Sequence, residues 1–492
     1  MSDIVHSIRI SSGGRELVAM DDFRLPERTI SLLFGESGIG KSLLAKAVYG
    51  VLESDSLDVT VDGGMYADHL RQPDTRARRA VSFFVFQEPS SHLNPLMTLG
   101  AQLSEGSLAQ GPPSMDVLRP LWKPGMDAEL EALLRVYPKP YRPSGGEKQR
   151  MLIAMAFKQL DALQEGSPNL FVFDEPTGSL DNEYRNIFLS QLFARHLRKS
   201  FTCLLVTHDY SMISRIMSRH REMLPRIVMR ELVLRDSGLS LRDFRPETYT
   251  GWLRSLHPVP ASINTPPLLH VDGRIVVHGR PLRITQEDAD GEAVPLLVRP
   301  GRLTYLKGPS GEGKTSFVKA LMGLVPSTGL RCVMNGLLVT EHTPRHVWRK
   351  QCWGKRITMV FQHADEALNG NATVQQTLEA IPVKLSHRRI AQFVGEFFGM
   401  NLPAAFLNRR VATLSGGQKQ RLNLLRGLIL DTDVAVLDEP LNALDFESGT
   451  RVIEQLNGKL GQGKGILVIS HNEEIFNALV DEKDVYYLVK EN

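Results

Sequence analysis

The sequence predicts an α/β protein that consists of two tandem copies of one domain, each with a mostly parallel sheet at its core. Five short motifs occur twice in the same order, at an offset of about 270 residues in a chain of 492. Each copy alternates apolar stretches, a glycine-rich turn and helical patterns, as α/β domains do. Runs that are apolar at every position, such as residues 171–173, predict strands that are buried on both faces of a parallel sheet.

The repeat and the segment between its copies set the domain boundaries. The paired motifs are GESGIGKS (35–42) with GPSGEGKT (308–315), VFQ (85–87) with VFQ (360–362), PSGGEKQR (143–150) with LSGGQKQR (414–421), FVFDEPTGSLD (171–181) with AVLDEPLNALD (435–445), and LLVTHD (204–209) with LVISHN (467–472). Between the copies, SLHPVPASINTPPLL holds four prolines and almost no charge, which is typical of an extended linker. We therefore place a first domain at 1–255 with a short tail at 240–255, a proline-rich linker at 256–266, and a second domain at 267–492.

Composition excludes several classes of protein. Hydrophobic residues make up 42% of the chain, charged residues 23%, and the net charge is +3, which gives no argument for nucleic-acid binding. The cysteines, Cys203, Cys332 and Cys352, are too few and too widely spaced for a zinc site or a disulfide framework. No apolar run approaches the length of a membrane span, and the N-terminus has no signal-peptide pattern. We therefore expect any work at a membrane to need an embedded partner.

The glycine-rich motif has the form of a phosphate-binding P-loop between a strand and a helix. Its glycines allow backbone dihedrals that aim N–H groups inward, and the helix start that follows favours an anion. Its lysine places positive charge at the β- and γ-phosphates, and the next hydroxyl can bind Mg²⁺. A chance turn is the alternative for one copy, but two copies in matched contexts make chance negligible. The predicted cradle residues are Gly35, Ser37, Gly38, Gly40, Lys41 and Ser42, and in the second copy Gly308, Ser310, Gly311, Gly313, Lys314 and Thr315.

A carboxylate pair ends the apolar strand of the DEP motif in each copy. Asp174 is placed where it can hold Mg²⁺, and Glu175 where it can orient or deprotonate an attacking water. Their counterparts are Asp438 and Glu439. A merely solvated pair is the alternative, and the P-loop and the repeat weigh against it. The pattern predicts phosphoryl transfer, in which positioning and electrostatics supply most of the rate enhancement.

Two further motifs recur near the predicted phosphate site. His208 and His471 end a third apolar strand; a single histidine is more often a packed or surface residue, but its recurrence predicts contact with the γ-phosphate. The SGG motif, which precedes a helical run, predicts a second anion-binding helix start. One domain needs only one phosphate-binding site. A second anion-binding site therefore makes sense if it closes on a nucleotide held by the other domain. Its residues are Ser144, Gly145 and Gly146 in the first copy, and Ser415, Gly416, Gly417 and Gln418 in the second.

Together these motifs resemble those of ATP-binding cassette (ABC) ATPases, twice and over nearly the whole chain. The resemblance implies two tandem P-loop NTPase domains, each with a parallel core, an antiparallel β subdomain and a small helical subdomain, and it implies ATP and Mg²⁺ as cofactors. The catalytic residues it implies are Glu175, His208 and Gln87, and in the second half Glu439, His471 and Gln362. The Mg²⁺ ligands it implies are Ser42, Gln87 and Asp174, and in the second half Thr315, Gln362 and Asp438.

The same resemblance implies a head-to-tail pairing of the halves. The signature residues of each half would complete the ATP site of the other, and the turns at Asp181 and Asp445 would cross between the sites. Two departures fall in the first signature, where Pro143 stands for leucine and Glu147 for glutamine. The stretch RISSGGRELVAMDD (9–22), upstream of the first P-loop, offers no aromatic residue to stack on adenine, and His278 is the candidate in the second half. Each half keeps its glutamate and histidine, so two competent sites are expected.

A narrower resemblance is carried by FQEPSSHLNPLMTLGAQLSE (86–105), which is similar to the FQ-P–LNP–T-G pattern of ATPases from the oligopeptide/dipeptide/nickel importer family. RPETYTGWLRSLHPVP (245–260) resembles the tail of the same family. The resemblance implies an ATPase that energises import through two integral-membrane permease subunits, with an extracytoplasmic solute-binding protein, at the cytoplasmic face of the inner membrane. It also implies that the helical segment between Gln87 and Ser144 docks the permease. No nucleic-acid partner is expected, and no iron–sulfur cluster, because no cysteine lies between Cys203 and Cys332.

Two alternatives stay open. An ordinary surface turn would also explain LNPLMT, since Asn-Pro commonly opens turns. A soluble two-cassette ATPase that acts on ribosomes or nucleoprotein would have the same motif set. Such proteins tend to join their halves with a long, charged, helical linker, whereas this linker is rich in proline and nearly uncharged.

Overall fold

The chain folds into two compact units, Met1–Tyr249 and Thr250–Asn492. A computed structural model describes residues 3–52, 57–62, 82–138, 143–164, 169–178, 180–235, 238–262, 265–286, 291–309, 311–398 and 404–491. The division falls six residues before the predicted end of the first domain at residue 255. Residues 250–255 belong to the second unit because the ring of Trp252 packs edge-on against Phe446, with centroids 5.3 Å apart.

A six-stranded sheet forms the centre of the first unit. The strands of this unit are β1 (Asp3–Ser12), β2 (Arg15–Pro26), β3 (Ile30–Gly35), β4 (Asp58–Asp62), β5 (Phe83–Val85), β6 (Phe171–Asp174), β7 (Cys203–Val206), β8 (Ile227–Arg235) and β9 (Gly238–Asp243). The central sheet has the order β5-β6-β7-β3-β8-β9, and it is parallel except for β9. Every residue of β3, β6 and β7 is buried, as the sequence predicts for strands covered on both faces.

A separate antiparallel sheet of order β2-β1-β4 forms the second layer of this unit. Ile8 and Ile10 are buried while Arg9 between them is exposed, which is the two-residue alternation of a sheet with one covered face. Ile8, Ile10 and Val18 share a hydrophobic core with Leu44 of the helix that follows the P-loop. This sheet is the antiparallel β subdomain that the resemblance implies.

The second unit repeats this architecture. Its strands are β10 (Leu269–Val271), β11 (Arg274–Val277), β12 (Arg280–Thr285), β13 (Leu296–Val298), β14 (Leu303–Lys307), β15 (Ser327–Thr328), β16 (Arg331–Met334), β17 (Leu337–Thr340), β18 (Ile357–Val360), β19 (Val434–Asp438), β20 (Gly465–Ile469) and β21 (Val485–Lys490). Parallel strands in the order β18-β19-β20-β14-β21 match β5-β6-β7-β3-β8. The sheet continues antiparallel through β12, β11 and β15, and a second sheet has the order β13-β10-β16-β17.

Helices surround both sheets. In the first unit and across its end they are Lys41–Tyr49, Leu99–Gln102, Ser114–Leu118, Asp127–Leu134, Gly145–Asp161, Asn182–Arg198, Ser211–Arg219 and Pro246–Ser255. In the second unit they are Lys314–Leu321, Arg345–Val347, Ala364–Ala367, Val374–Glu379, His387–Phe398, Ala404–Leu407, Gly416–Ile429, Phe446–Gly461 and Glu473–Leu479. The short helices that precede each signature form the predicted helical subdomain. Within the described ranges, no helix has both the length and the apolar character needed to span a membrane.

The parallel arrangement brings the motifs together. Because parallel strands end at one edge of a sheet, the segments that follow β3, β5, β6 and β7 meet there. These segments carry the P-loop, Gln87, Asp174 and His208. In the second unit the same edge receives the segments after β14, β18, β19 and β20.

Candidate functional site

The turn after the first strand of each parallel core requires glycine. Gly35 has a φ of 147°, and a Cβ atom added there would lie 2.7 Å from the carbonyl oxygen of Leu232 on the neighbouring strand. Gly308 has a φ of 157°, and its Cβ would lie 2.9 Å from the carbonyl oxygen of Leu488. A real Cβ cannot approach a backbone oxygen so closely, so the chain turns here only with glycine. The turn then delivers Ser37, Gly38 and Gly40 to the start of the helix Lys41–Tyr49; Ser310 lies outside the described residues.

The lysine of each P-loop folds back over its own loop. Lys41 Nζ donates to the carbonyl oxygens of Gly35 at 2.7 Å and Glu36 at 3.0 Å, and it lies 3.6 Å from Glu175 Oε1. Burial lowers the pKa of Lys41, although the charge of Glu175 opposes that shift. Lys314 makes the equivalent bonds to the carbonyl oxygens of Gly308 and Pro309. A buried ammonium group next to the N-terminus of a helix is suited to phosphate oxygens.

A hydroxyl and a carboxylate meet at the start of each P-loop helix. Ser42 Oγ donates to Asp174 Oδ1 at 2.8 Å, and Thr315 Oγ1 donates to Asp438 Oδ2 at 2.8 Å. Burial raises the pKa of Asp174 to about 6 and raises that of Asp438 as well. These groups supply two hard oxygen donors in each unit, which suits Mg²⁺ with the remaining positions left to phosphate and water. Both pairs join residues that the sequence predicts as metal ligands.

The glutamate after each strand-end aspartate takes an unusual backbone conformation. Glu175 has a φ of 48° and Glu439 a φ of 50°, which is rare for a residue with a side chain. The N–H of Glu175 donates to Val206 O at 3.0 Å, and that of Glu439 to Ile469 O at 2.9 Å, so the neighbouring strand holds each in place. Such strain costs on the order of 1 kcal/mol and is characteristic of functional positions.

The first glutamate is paired with a histidine. His208 Nδ1 lies 2.7 Å from Glu175 Oε2. Burial would raise the pKa of Glu175, but the charge of the nearby His208 outweighs it and holds that pKa below its ordinary value. The same pairing raises the pKa of His208 against the opposing effect of burial. The first unit therefore holds a charged carboxylate next to the P-loop lysine.

The second glutamate has different partners. Glu439 Oε2 accepts from Ser470 Oγ at 3.0 Å and from the N–H of His471 at 3.1 Å. The ring of His471 is further away, with Nε2 3.5 Å from Glu439 Oε1, and its side chain is 49% exposed against 27% for His208. Burial raises the pKa of Glu439 to about 7. Sequence reasoning did not anticipate Ser470 in this role.

Each signature serine begins a helix with a complete capping box. Ser144 caps the helix Gly145–Asp161, where Glu147 Oε2 accepts from the Ser144 N–H at 2.8 Å and from its Oγ at 2.7 Å. Ser415 caps the helix Gly416–Ile429, where Gln418 Oε1 accepts from the Ser415 N–H at 3.1 Å. Glutamate in the first signature therefore keeps the hydrogen bond that glutamine makes in the second.

Gln87 and Gln362 lie in segments that contact these helices. Gln87 is exposed and Gln362 half-buried, and each follows its strand by two residues. The carbonyl oxygen of Phe86, next to Gln87, accepts from Gln149 Nε2 at 3.4 Å. The carbonyl oxygen of Phe361 accepts from Asn423 Nδ2 at 3.1 Å. These bonds tie the glutamine segment of each unit to its own signature helix, a link that the sequence pattern did not reveal.

A parallel sheet with a P-loop, a strand-end carboxylate pair and a capped signature helix in each unit defines a protein with two P-loop ATPase cassettes. The family model described as ABC transporter matches residues 19–178 and 292–442. The chain therefore belongs to the ABC transporter family, and it is an ABC-type ATPase.

The sequence similarity to known proteins covers nearly the whole chain. The Uncharacterized ABC transporter ATP-binding protein YejF of Escherichia coli (strain K12) is 28% identical, over 91% of this chain and 86% of that protein. The Peptidoglycan transport ATP-binding protein YejF of Agrobacterium fabrum (strain C58 / ATCC 33970) is 27% identical, over 97% and 89%. The Glutathione import ATP-binding protein GsiA of Escherichia coli (strain K12) is 26% identical, over 95% and 81%.

Solved structures with two cassettes share the fold. The crystal structure of archaeal ribosome recycling factor aABCE1 with the archaeal ribosomal stalk protein aP1 matches with a TM-score of 0.54 at 18% identity, over 95% of this chain and 87% of that chain. The RNase-L Inhibitor matches with a TM-score of 0.53 at 19% identity, over 96% and 88%. At these identities the likeness shows the fold alone.

Proposed function

We propose that the chain is the ATP-binding and ATP-hydrolysing subunit of an importer of the peptide/nickel type, and that it acts through two separate membrane permease subunits with an extracytoplasmic solute-binding protein. In this role it lies at the cytoplasmic face of the inner membrane. The names of its relatives, which refer to peptidoglycan transport and glutathione import, support this class of function.

Each unit supplies one set of groups for MgATP. Lys41 and Lys314 bind the β- and γ-phosphates. Mg²⁺ would be held by Ser42, Asp174 and Gln87 in the first unit and by Thr315, Asp438 and Gln362 in the second, where it would neutralise phosphate charge. Glu175 and Glu439 take the proton of the attacking water, and His208 and His471 contact the γ-phosphate.

We also propose that the signature residues bind nucleotide phosphate. Ser144 and Ser415 each begin a helix, and the N-terminus of a helix favours an anion. Asp181 and Asp445 cap the helices Asn182–Arg198 and Phe446–Gly461.

The observation that carries the importer assignment is the shape of the loop Leu93–Met97. Leu93 is buried with 3% of its surface exposed, whereas Leu96 is 84% exposed at the tip. Gln102 fixes the loop from within, since its Nε2 donates to the carbonyl oxygens of Asn94 at 2.9 Å and Met97 at 3.1 Å. A large apolar side chain held outward by a hydrogen-bonded turn is available to a partner surface. We propose that Leu96 contacts the permease.

The equivalent loop of the second unit supplies a matched control. Its sequence LNGNAT aligns with LNPLMT, which places Asn371 where the first unit has Leu96. The N–H of Asn371 donates to Asn369 Oδ1 at 3.1 Å, as that of Leu96 donates to Asn94 Oδ1 at 3.0 Å. The two turns share this hydrogen bond, but the side chain at the tip differs, and Gly370 and Ala372 stand where the first unit has Pro95 and Met97.

The test is purification of the chain from membranes of its own organism in mild detergent, with mass-spectrometric identification of what accompanies it. We expect two multispanning membrane proteins with the wild type, at least fivefold less of them with L96S, and unchanged amounts with N371A. Ribosomal proteins in their place, or no membrane protein at all, would overturn the proposed function in favour of a soluble two-cassette ATPase.

A further inference from the structure

A charged pair anchors the histidine loop of the first unit. Asp209 directly follows His208, and its Oδ2 accepts from Arg185 Nη1 at 2.9 Å. Its Oδ1 accepts from the N–H of Ser211 at 3.0 Å and from the Ser211 hydroxyl. Arg185 also donates to that hydroxyl. One side chain from the helix Asn182–Arg198 therefore fixes both the histidine loop and the start of the helix Ser211–Arg219.

The pair is well shielded from water. The side chain of Arg185 is 12% exposed and that of Asp209 is 21% exposed. Burial alone would raise the pKa of Asp209, but the charge of Arg185 and the hydrogen bonds to Ser211 hold it below its ordinary value. A charge pair with this number of hydrogen bonds is far more rigid than an exposed surface pair.

The anchor lies next to the reacting groups. The N–H of Asp209 donates to Thr207 Oγ1 at 3.0 Å, so the backbone on both sides of His208 is fixed. His208 Nδ1 in turn lies 2.7 Å from Glu175 Oε2. Arg185 is also one turn from Asp181, whose side chain caps the same helix by accepting from the N–H of Tyr184 at 3.0 Å. The pair thus connects the helix that follows the Asp181 turn to the histidine that orients the catalytic glutamate.

The second unit lacks this pair and uses a different support. Gly449 and Asn472 occupy the positions of Arg185 and Asp209 in the repeat, so no guanidinium–carboxylate pair can form there. Instead, the buried hydroxyl of Tyr305 donates to the carbonyl oxygen of Ser470 at 2.7 Å, directly beneath the histidine loop. Leu32 stands at the position of Tyr305 in the first unit and cannot make this bond.

We propose that Arg185 and Asp209 are positioning residues for hydrolysis at the first P-loop alone, and that Tyr305 has this role at the second, so that the two ATP sites are inequivalent. The inference rests on the roles proposed above for the two glutamates and the two histidines, and not on the importer assignment. The two histidine loops occupy equivalent positions in the repeat, but different side chains hold them. The first loop keeps its histidine against the glutamate, and the second leaves its histidine more exposed and 3.5 Å from the glutamate.

A site-resolved measurement tests the proposal. The full-length chain is trapped with vanadate and a photoreactive azido-ATP in the presence of Mg²⁺, and the label in each half is quantified by peptide mapping. We expect D209N to reduce the label in the half that carries Lys41 at least fivefold and to leave the other half within twofold. We expect Y305F to do the reverse. Equal losses in both halves, or no loss in either, would overturn the proposal.

Two controls separate positioning from general damage. D127N breaks the exposed Arg119–Asp127 pair in the same unit and should leave both halves labelled as in the wild type. R185K keeps the positive charge, whereas R185G introduces the glycine that the second unit has at this position. R185K should therefore retain more label in the first half than R185G. Equal loss of label in the two variants would count against a role for the Arg185–Asp209 pair.

In steady-state assays D209N should lower kcat with KM within twofold of the wild type, whereas a raised KM at unchanged kcat would contradict a positioning role. If D209N does not fold, R185G carries the same test.

Discussion

His208 Nδ1 lies 2.7 Å from Glu175 Oε2 in the first unit, whereas the shortest His471–Glu439 ion-pair distance in the second is 3.5 Å. The pKa values of these two glutamates, which the sequence presents as equivalent, are shifted in opposite directions. The histidine keeps the pKa of Glu175 below its ordinary value, and burial raises the pKa of Glu439 to about 7. Two copies of one motif therefore give two different electrostatic environments.

Removal of the charge of Glu439 should stabilise the nucleotide-free chain at high pH. A carboxyl group whose pKa is higher in the folded protein than in the unfolded chain destabilises the folded state when it ionises. This loss of stability develops as the pH rises from the unfolded pKa through the folded value near 7. We expect E439Q to add about 1–3 kcal/mol to the unfolding free energy of the second unit at pH 8, and little at pH 5. Calorimetric scans at the two pH values measure this, and an equal change at both would contradict it.

Removal of the charge of Glu175 should have the opposite effect and destabilise the folded state. Its pKa is depressed by His208, so its stabilising contribution is present above the unfolded pKa and is lost as pH falls through the folded value. We expect E175Q to lower the unfolding free energy of the first unit by about 1–2 kcal/mol at pH 7, because it leaves His208 without its charged partner. The deficit should shrink below pH 4 in the same scans. A higher unfolding free energy of E175Q than of the wild type at pH 7 would show that His208 does not stabilise the charged form of Glu175.

Glycine at the P-loop turn should be indispensable. G35A places a Cβ 2.7 Å from Leu232 O at a φ of 147°, which distorts the loop or the adjacent strand. We expect at least a tenfold loss of MgATP affinity in titration calorimetry, with a lower unfolding temperature. G251A is the control: nothing lies within 4 Å of its added Cβ, and alanine is the better helix former in Pro246–Ser255. A G35A protein that binds MgATP normally would show that the close approach is relieved at no cost.

The exposed tip of the loop Leu93–Met97 should separate transport from hydrolysis. L96S removes an apolar contact surface but no packing, since Leu96 is 84% exposed. We expect uptake by the reconstituted transporter to fall at least fivefold while ATP hydrolysis by the isolated subunit stays within twofold. N371A should change neither. L93A would not serve, because that side chain is buried and its loss costs roughly 2–5 kcal/mol of stability. Unchanged uptake by L96S would remove the loop from the permease contact.

The sequence was sufficient for the parallel core and for the place of each motif within it. The predicted fold is confirmed, because repeated motifs at strand ends fix both the strand type and the edge where they meet. P-loops and capping boxes are local patterns, so Gly35 and Ser144 could be assigned from a few neighbouring residues.

The differences between the units could not be predicted in this way. Arg185 and Asp209 are 24 residues apart and are joined only when a helix packs beside a strand end. The anchor from Tyr305 to Ser470 crosses 165 residues and depends on the neighbouring strand in the sheet. The pKa of Glu439 depends on its burial, which no motif encodes. The contact of Trp252 with Phe446 likewise joins residues that are far apart in the sequence.

Hydrolysis at these two sites is tested most directly by steady-state MgATP turnover of the double variant E175Q/E439Q beside its binding of MgATP. Glutamine keeps the shape of the side chain but cannot accept a proton from water. We expect MgATP to bind within a fewfold of the wild-type affinity and turnover to fall at least a hundredfold. Turnover at the wild-type rate would contradict the assignment of Glu175 and Glu439 as the groups that act on the attacking water.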